Sequence, residues 1–450
     1  MLLKERIEPT EPTGRAERIE RTGRAWWARW AGWLAVGAWA LLIAGSFAVG
    51  EVLRRNGLAT EDELPPLHAE SRLLTWQILP VAGIGVLLVA GLPWLVRRLS
   101  WAAVLGVGWA AGAVWAVALA LTDGLGALAR PLNAPTEYPA GLAAIGDDPL
   151  GWLRTFTERL GGYPTHVRGH PPLPTLVFWG LDSVGLRGTG WAAALIIAVG
   201  ASAVAAIAIT VRCVAGEQAA RRAVPFLALA PLALWIATAM DAFFLGVGAW
   251  GVALLAVGAQ RWWWPAAFGG GLLLGALPYL SYGLLPLYAV PFAVLLLIRP
   301  NRWVIAAGVC GLVVVPLLFT VAGFWWPDGV AATQDTYAIS RGSAQRSYPY
   351  FLVADLAVLG LLVGPAVAYA LPSLRIRTGM PVALLAAAAL LGTLALDVSG
   401  VTRGEVERIW VPYAAWIVPL VALRRDPGRG WLAAQVVTAL VVQALVLSEW

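Results

Sequence analysis

Runs of about 20 apolar residues recur along the chain from Ala31 onward, and short polar stretches separate them. About 20 such residues are enough for a helix to cross the hydrocarbon core of a bilayer. The runs predict spans at roughly 29–49, 73–96, 101–122, 189–211, 223–240, 242–260, 264–280, 283–298, 303–323, 350–372, 378–396, 411–423 and 430–448. The expected fold is all-α: a polytopic integral membrane bundle of about 13 helical spans. One further apolar segment, 173–186, is too short for an ordinary span. It is expected to be a re-entrant or tilted helix.

Polar positions divide the rest. Residues 1–25 are charged, with Pro and Gly, and are expected to be a disordered tail. Residues 26–450 then form one transmembrane domain. No cleavable signal peptide is expected, because the first apolar run starts late and is long. The loop 123–172 is the longest interruption between apolar segments, and a connection of that length is usually functional or disordered. Within it, Leu150, Trp152, Leu153, Phe156 and Leu160 are spaced for amphipathic helices lying on the membrane surface.

Composition supports the class and adds direction. Hydrophobic residues make up 59% of the chain and charged residues 13%, against about 25% charged in soluble domains. Mean hydropathy is +0.73. Tryptophans gather at segment ends (Trp26, Trp27, Trp101, Trp262 to Trp264, Trp325, Trp326 and Trp410), as in an interfacial aromatic belt. The net charge of +6 therefore reads as a topology signal rather than a nucleic-acid signal. Arg97-Arg98, Arg221-Arg222, Arg261, Arg299 with Arg302, Arg375 with Arg377, and Arg424-Arg425 are expected on the cytoplasmic side, together with the N-terminus. Loops 123–172, 324–349 and 397–410, and Asp241, then fall on the outer face of the cell membrane. Cys213 and Cys310 read as packing residues, with no disulfide or metal spacing.

The chemistry-bearing residues gather on that outer face. Glu137, beside Tyr138, suits a general base that takes a proton from a hydroxyl. His166 and His170 are four apart, but Gly169 and Pro171-Pro172 break any helix that would give them zinc-protease geometry. With Arg168 they are expected to form a cationic patch suited to phosphate. Asp241 interrupts an apolar stretch, which marks it as functional in a membrane segment. Loop 397–410 offers Arg403, Glu405, Glu407 and Arg408, and loop 324–349 offers Arg341 and Arg346 for sugar and phosphate contacts. Each group also has a structural alternative: a solvated loop charge, a backbone-bonded histidine or a turn aspartate.

Thr136-Glu137-Tyr138, followed by His170-Pro171-Pro172-Leu173, resembles the GT-C superfamily of membrane glycosyltransferases. The likeness is to the branch of protein O-mannosyltransferases and lipid A aminoarabinose transferases. There, a long outer loop carries an acidic residue near a Tyr, and a His/Lys-Pro-Pro-Leu element opens the next helix. Arg408 before Pro412 is similar to a later outer Arg of that family. This chain departs in having one Glu beside Tyr where the family has an Asp-Glu pair. The Arg-, Ala- and Trp-rich composition resembles that of actinobacterial membrane proteins.

The resemblance implies an inverting single displacement from a polyprenyl-phosphate sugar onto a hydroxyl of a glycan, lipid or protein acceptor. Glu137 would be the base. Arg408, backed by His166, Arg168 and His170, would stabilise the leaving phosphate. No cofactor is implied with certainty; a divalent cation helps at the phosphate in some relatives, but no ligand set for one is evident here. A transporter or lipid flippase, and a non-catalytic scaffold, remain the competing readings. Neither calls for nucleic acid.

Overall fold

The computed structural model describes residues 13–58, 63–340, 345–375, 380–424 and 426–448, with side chains from Trp30 on. It is an all-α membrane protein. Among the described residues, seven helices are long and apolar enough to cross a membrane: Trp30–Arg55, Ile78–Arg98, Trp101–Asp123, Thr189–Ala215, Met240–Arg261, Arg302–Val321 and Met380–Ser399. An eighth crossing forms if Tyr348–Val363 and Pro365–Leu374, bent by 92°, count as one.

The remaining apolar segments are shorter or interrupted, and proline is the physical reason in most. Residues 223–240 divide into Glu217–Leu229 and a 3-10 turn that starts at Pro231. Residues 283–298 divide into a 3-10 stretch holding Pro286 and the helix Ala289–Ile298. Residues 411–423 change from α to 3-10 at Val418-Pro419. A proline lacks the N–H that continues the ladder, so a helix breaks or tightens there. The first helix begins at Thr13, so 13–25 are helical where a tail was expected. Residues 1–12 of that expectation lie outside the described residues.

Burial separates a core from a lipid-facing rim. Thr189–Ala215 and Met240–Arg261 run through the middle and bury most of their length. Trp30–Arg55 and Ile78–Arg98 expose Leu34, Leu41, Leu79, Val86 and Leu87. In a bilayer such apolar surface faces lipid at no cost. Small residues allow the closest helix contacts, as in other membrane bundles. A Cβ on Gly271 or Gly275 of Trp264–Leu280 would collide with the backbone oxygen of Gly308 or Leu312 on Arg302–Val321.

The sharp bend at Gly364 shows how the bundle handles a broken ladder. Gly364 has a positive φ of 78°, and the turn frees backbone groups inside an apolar setting. The buried Gln435 satisfies both sides. Its Nε2 donates to Val363 O at 2.8 Å, and its Oε1 accepts from Ala366 N at 3.3 Å. Inside a membrane such groups have no water to fall back on.

The two ends of the bundle differ in chemistry. At one end Arg221 donates to Val96 O and Leu99 O, Arg212 pairs with Glu217 and lies over Trp101, and Arg424 lies over Tyr369. At the other end the strand Ala69–Ser71 pairs antiparallel with Val446–Ser448. Arg72 there pairs with Asp123 and donates to Gln443 O. The helix Met240–Arg261 has Asp241 in its first turn and Arg261 in its last. The long loop and the acidic residues therefore share the end opposite to Arg261.

The loop 123–172 is ordered as short turns rather than as one surface helix. Its longest helix is Pro149–Arg154, capped by Asp148, whose Oδ1 accepts from Gly151 N at 2.8 Å. Trp152, Leu153, Phe156 and Leu160 are buried, and Leu150 stays exposed. The apolar spacing thus marks a face that packs inward, with Phe156 against Tyr163 and Phe324. The short segment after it forms the helix Leu173–Ser183, only 11 residues long.

Candidate functional site

Glu137 lies in extended backbone just before the 3-10 turn Tyr138–Gly141. His166 sits in the one-turn helix Thr165–Arg168, which Gly169 ends. The backbone joins the two segments first, because His166 N donates to Thr136 O at 2.9 Å. The side chains follow: His166 Nδ1 lies 2.9 Å from Glu137 Oε1. Both residues are buried, at 7% and 8% exposure. Tyr138 stacks on His166 with ring centroids 5.7 Å apart and meets His170 edge-on at 5.5 Å.

Arg408 approaches the same imidazole from the opposite side. It lies in the one-turn helix Val406–Ile409, about 240 residues further along the chain. Its Nη2 is 3.3 Å from His166 Nε2 and 2.9 Å from Glu405 Oε2. Its Nη1 donates to Asp241 Oδ2 at 3.1 Å. A guanidinium only donates, so His166 Nε2 must accept. The ring proton of a neutral His166 then sits on Nδ1, facing the Glu137 carboxylate. Carboxylate, imidazole and guanidinium thus form one chain, drawn from three separate parts of the sequence.

A second layer continues behind Glu405. Arg346 Nη1 lies 3.3 Å from Glu405 Oε1 and donates to Arg403 O at 2.8 Å. Its Nη2 is 3.5 Å from His68 Nδ1. His68 N donates to Glu407 Oε1 at 3.0 Å, and Gly404 N to Asp355 Oδ1 at 3.3 Å. The residues of this network come from six distant segments, and most are buried.

Electrostatics assigns the members different states. Burial pushes Glu407 up to about 7. Burial also opposes the charge of Glu405, but Arg408 and Arg346 outweigh it and hold this carboxyl down at about 2. Burial lowers Arg408 as well, yet Asp241 and Glu405 more than compensate and keep it firmly charged. Tyr138 is raised well above its ordinary range, first by burial and then by Asp241, so it stays a neutral phenol. His170 is lowered to about 4, chiefly by burial. It is therefore uncharged at neutral pH, and its Nδ1 lies 3.0 Å from His166 O. The expected cationic histidine patch is corrected in this respect: His170 packs and positions.

Glu407 gives a pH prediction. Its folded value of about 7 lies above the unfolded value of 4.5. The folded chain then holds a proton that the unfolded chain has released, and stability falls as pH rises through that window. Glu407→Gln keeps the acceptor for His68 N and removes the titration. Its Tm relative to the wild type should therefore improve from pH 5 to pH 8 in detergent. An offset that is the same at both pH values would contradict a protonated, buried Glu407.

Of the sequence-predicted residues, Glu137, Tyr138, His166, His170, Asp241, Arg346, Glu405, Glu407 and Arg408 converge here. Arg168 is not drawn into the network: its backbone carbonyl accepts from Thr333 Oγ1 at 3.5 Å, outside it. Arg341 lies outside the described residues. Sequence reasoning passed over His68 and Asp355. Asp355 interrupts an apolar run just as Asp241 does, and the same rule for ionisable residues in membrane segments would have found it. Among the described residues no group of three or more His, Cys, Asp or Glu side chains is placed to hold a metal ion.

No family model, no curated protein and no solved structure matches the chain.

Proposed function

We propose that the chain is a membrane glycosyltransferase of GT-C type, with about thirteen crossings and the Glu137 cluster on the outer face of the cell membrane. The observation that carries this reading is the junction of Glu137, His166 and Arg408. It joins a proton acceptor, a relay and a fixed positive charge in one buried constellation, as transfer to a hydroxyl requires. Thirteen crossings also put every arginine cluster on the side of the N-terminus, which makes that side cytoplasmic. The paired strands 69–71 and 446–448 then share the outer face.

The donor is a sugar on a polyprenyl phosphate. Glu137 takes the proton of the acceptor hydroxyl, and the hydroxyl oxygen bonds to the anomeric carbon. The bond from that carbon to the phosphate oxygen breaks, and its electron pair leaves with the lipid phosphate. Charge develops on both sides, as in other glycosyl transfers, and the arginines stabilise the departing oxyanion. An apolar groove of about 710 Å3 opens beside the same loop. Trp109, Val114, Leu125, Leu128 and Ile197 line it, which suits an isoprenoid chain. A smaller cavity of about 200 Å3 adjoins Pro139 and is lined by Phe178, Asp182 and Thr189.

Reconstitution tests this reading against a flippase. The purified protein in liposomes, given a short-chain prenyl-phosphate sugar and a mixture of envelope acceptors, should release free prenyl phosphate and yield a covalent glycoside. Transbilayer movement of the lipid with no covalent product would replace the transferase reading with the flippase.

A further inference from the structure

Two arginines in the cluster come from different elements and share one partner. Arg346 precedes the helix Tyr348–Val363, and Arg408 lies in Val406–Ile409. Glu405 spans them, with Oε1 3.3 Å from Arg346 Nη1 and Oε2 2.9 Å from Arg408 Nη2. The two guanidinium side chains are 3% and 8% exposed, whereas the Glu405 side chain is 29% exposed. The buried cations are thus bridged by the one carboxylate of the trio that reaches solvent.

The loop around Glu405 is shaped to hold it there. Gly404 has φ +72°, and Glu405 itself has φ 57°. Glycine adopts that region freely, but a residue with a Cβ does so at a cost. A Cβ on Gly404 would come 3.0 Å from Arg346 Nη1 and 3.1 Å from the Phe351 ring, so glycine is what lets the arginine close in. Arg346 is fixed from behind by Arg403 O and the face of Phe351, and Arg408 by Asp241. Both cations therefore stay in place when the carboxylate leaves. Two oxygens of one anion between two fixed guanidiniums is the geometry by which arginines hold phosphate.

We infer that Arg346 and Arg408 form a two-guanidinium seat for a phosphate oxyanion, and that Glu405 fills this seat until such a ligand displaces it. Glu405 acts as an internal stand-in. It keeps the paired buried cations neutralised between turnovers, and it swings toward solvent when a phosphate group arrives. The phosphate must then compete with a tethered carboxylate, which favours a ligand held independently by its lipid tail. This inference rests on the transferase reading for its biological ligand, but its test is one of binding and needs no turnover.

Isothermal titration of the full-length protein in detergent, at neutral pH, measures the seat directly. The probes are inorganic phosphate and a short-chain prenyl monophosphate. Glu405→Gln should tighten binding of the prenyl probe by about tenfold or more, since it removes a charged competitor. Adding Arg346→Gln should erase that gain. Tightening with both probes assigns the seat to the phosphate group alone; tightening with the prenyl probe only assigns it to a lipid-borne phosphate. Glu405→Asp is too short to span both cations, and it should tighten binding in the same direction even where the Gln variant folds poorly. Equal or weaker binding of both probes by both variants, with unchanged Tm, would overturn the inference. Sugar transfer by the wild type alongside that result leaves the enzyme reading standing, and tightened binding without transfer does the reverse.

Discussion

In Glu137→Gln, sugar transfer should fall by roughly 10²–10⁴-fold while donor binding and Tm stay near the wild type. Glutamine keeps the shape and an oxygen that accepts from His166, so the loop remains packed. What is lost is the capacity to take a proton. Glu137 is 8% exposed and so is no solvated surface charge, a position at which a substitution would shift stability by no more than about 0.5 kcal/mol. Single-turnover transfer with a prenyl-phosphate sugar is the measurement. Unchanged transfer would remove Glu137 from the mechanism. The replacement would not be found easily nearby: Asp123 is paired with Arg72, Asp148 caps the helix Pro149–Arg154, and Asp241 holds Arg408. Asp147 would then be the next acidic residue of that loop to test.

Different parts of this architecture were legible from sequence for different physical reasons. Long apolar runs announce helices, since the bilayer admits little else. Break points are harder to read. The bend at Gly364 depends on Gln435, more than 70 residues away, to satisfy the freed backbone groups. No local pattern contains that partner. The loop 123–172 shows a similar limit. Its apolar spacing predicts helices lying on the membrane surface, but Trp152 and Phe156 bury themselves against other aromatics of the protein.

The site was legible in its members and not in its connections. Glu137, His166, Asp241 and Arg408 each stand out because an ionisable group beside a membrane is costly without a task or a partner. Sequence cannot tell a task from a partner. Arg408 shows why: it was singled out for phosphate, and the structure gives it two carboxylates already. Conversely, His68 drew no attention in the sequence, yet its backbone reaches Glu407 and its ring lies beside Arg346. Pairing across hundreds of residues is decided by helix packing, which residue types alone do not encode.

The pairing of Arg408 carries the largest expected effect on the fold. Arg408→Met removes the only guanidinium contacting both Asp241 and Glu405 among the described residues. Asp241 is then left charged and buried at 5% exposure beside an apolar side chain. Breaking a buried pair in this way costs roughly 3–5 kcal/mol, whereas replacing both members can be close to neutral. Arg408→Met should therefore lower Tm sharply, and Asp241→Asn in the same chain should recover much of the loss. Asp241→Asn alone should be milder, because Arg408 keeps Glu405. The cycle of four proteins, unfolded thermally in one detergent, isolates the pair from either residue's other contacts. Glu405 adds a direction to the outcome. With Arg408 gone, its carboxylate keeps only Arg346, and donor binding should weaken even in the stability-restored double variant. A double variant that regains Tm but not donor binding separates what Arg408 does for the fold from what it does for the phosphate. If Arg408→Met leaves Tm unchanged, the buried pair is not holding the outer end together, and the role of Asp241 would have to be sought elsewhere.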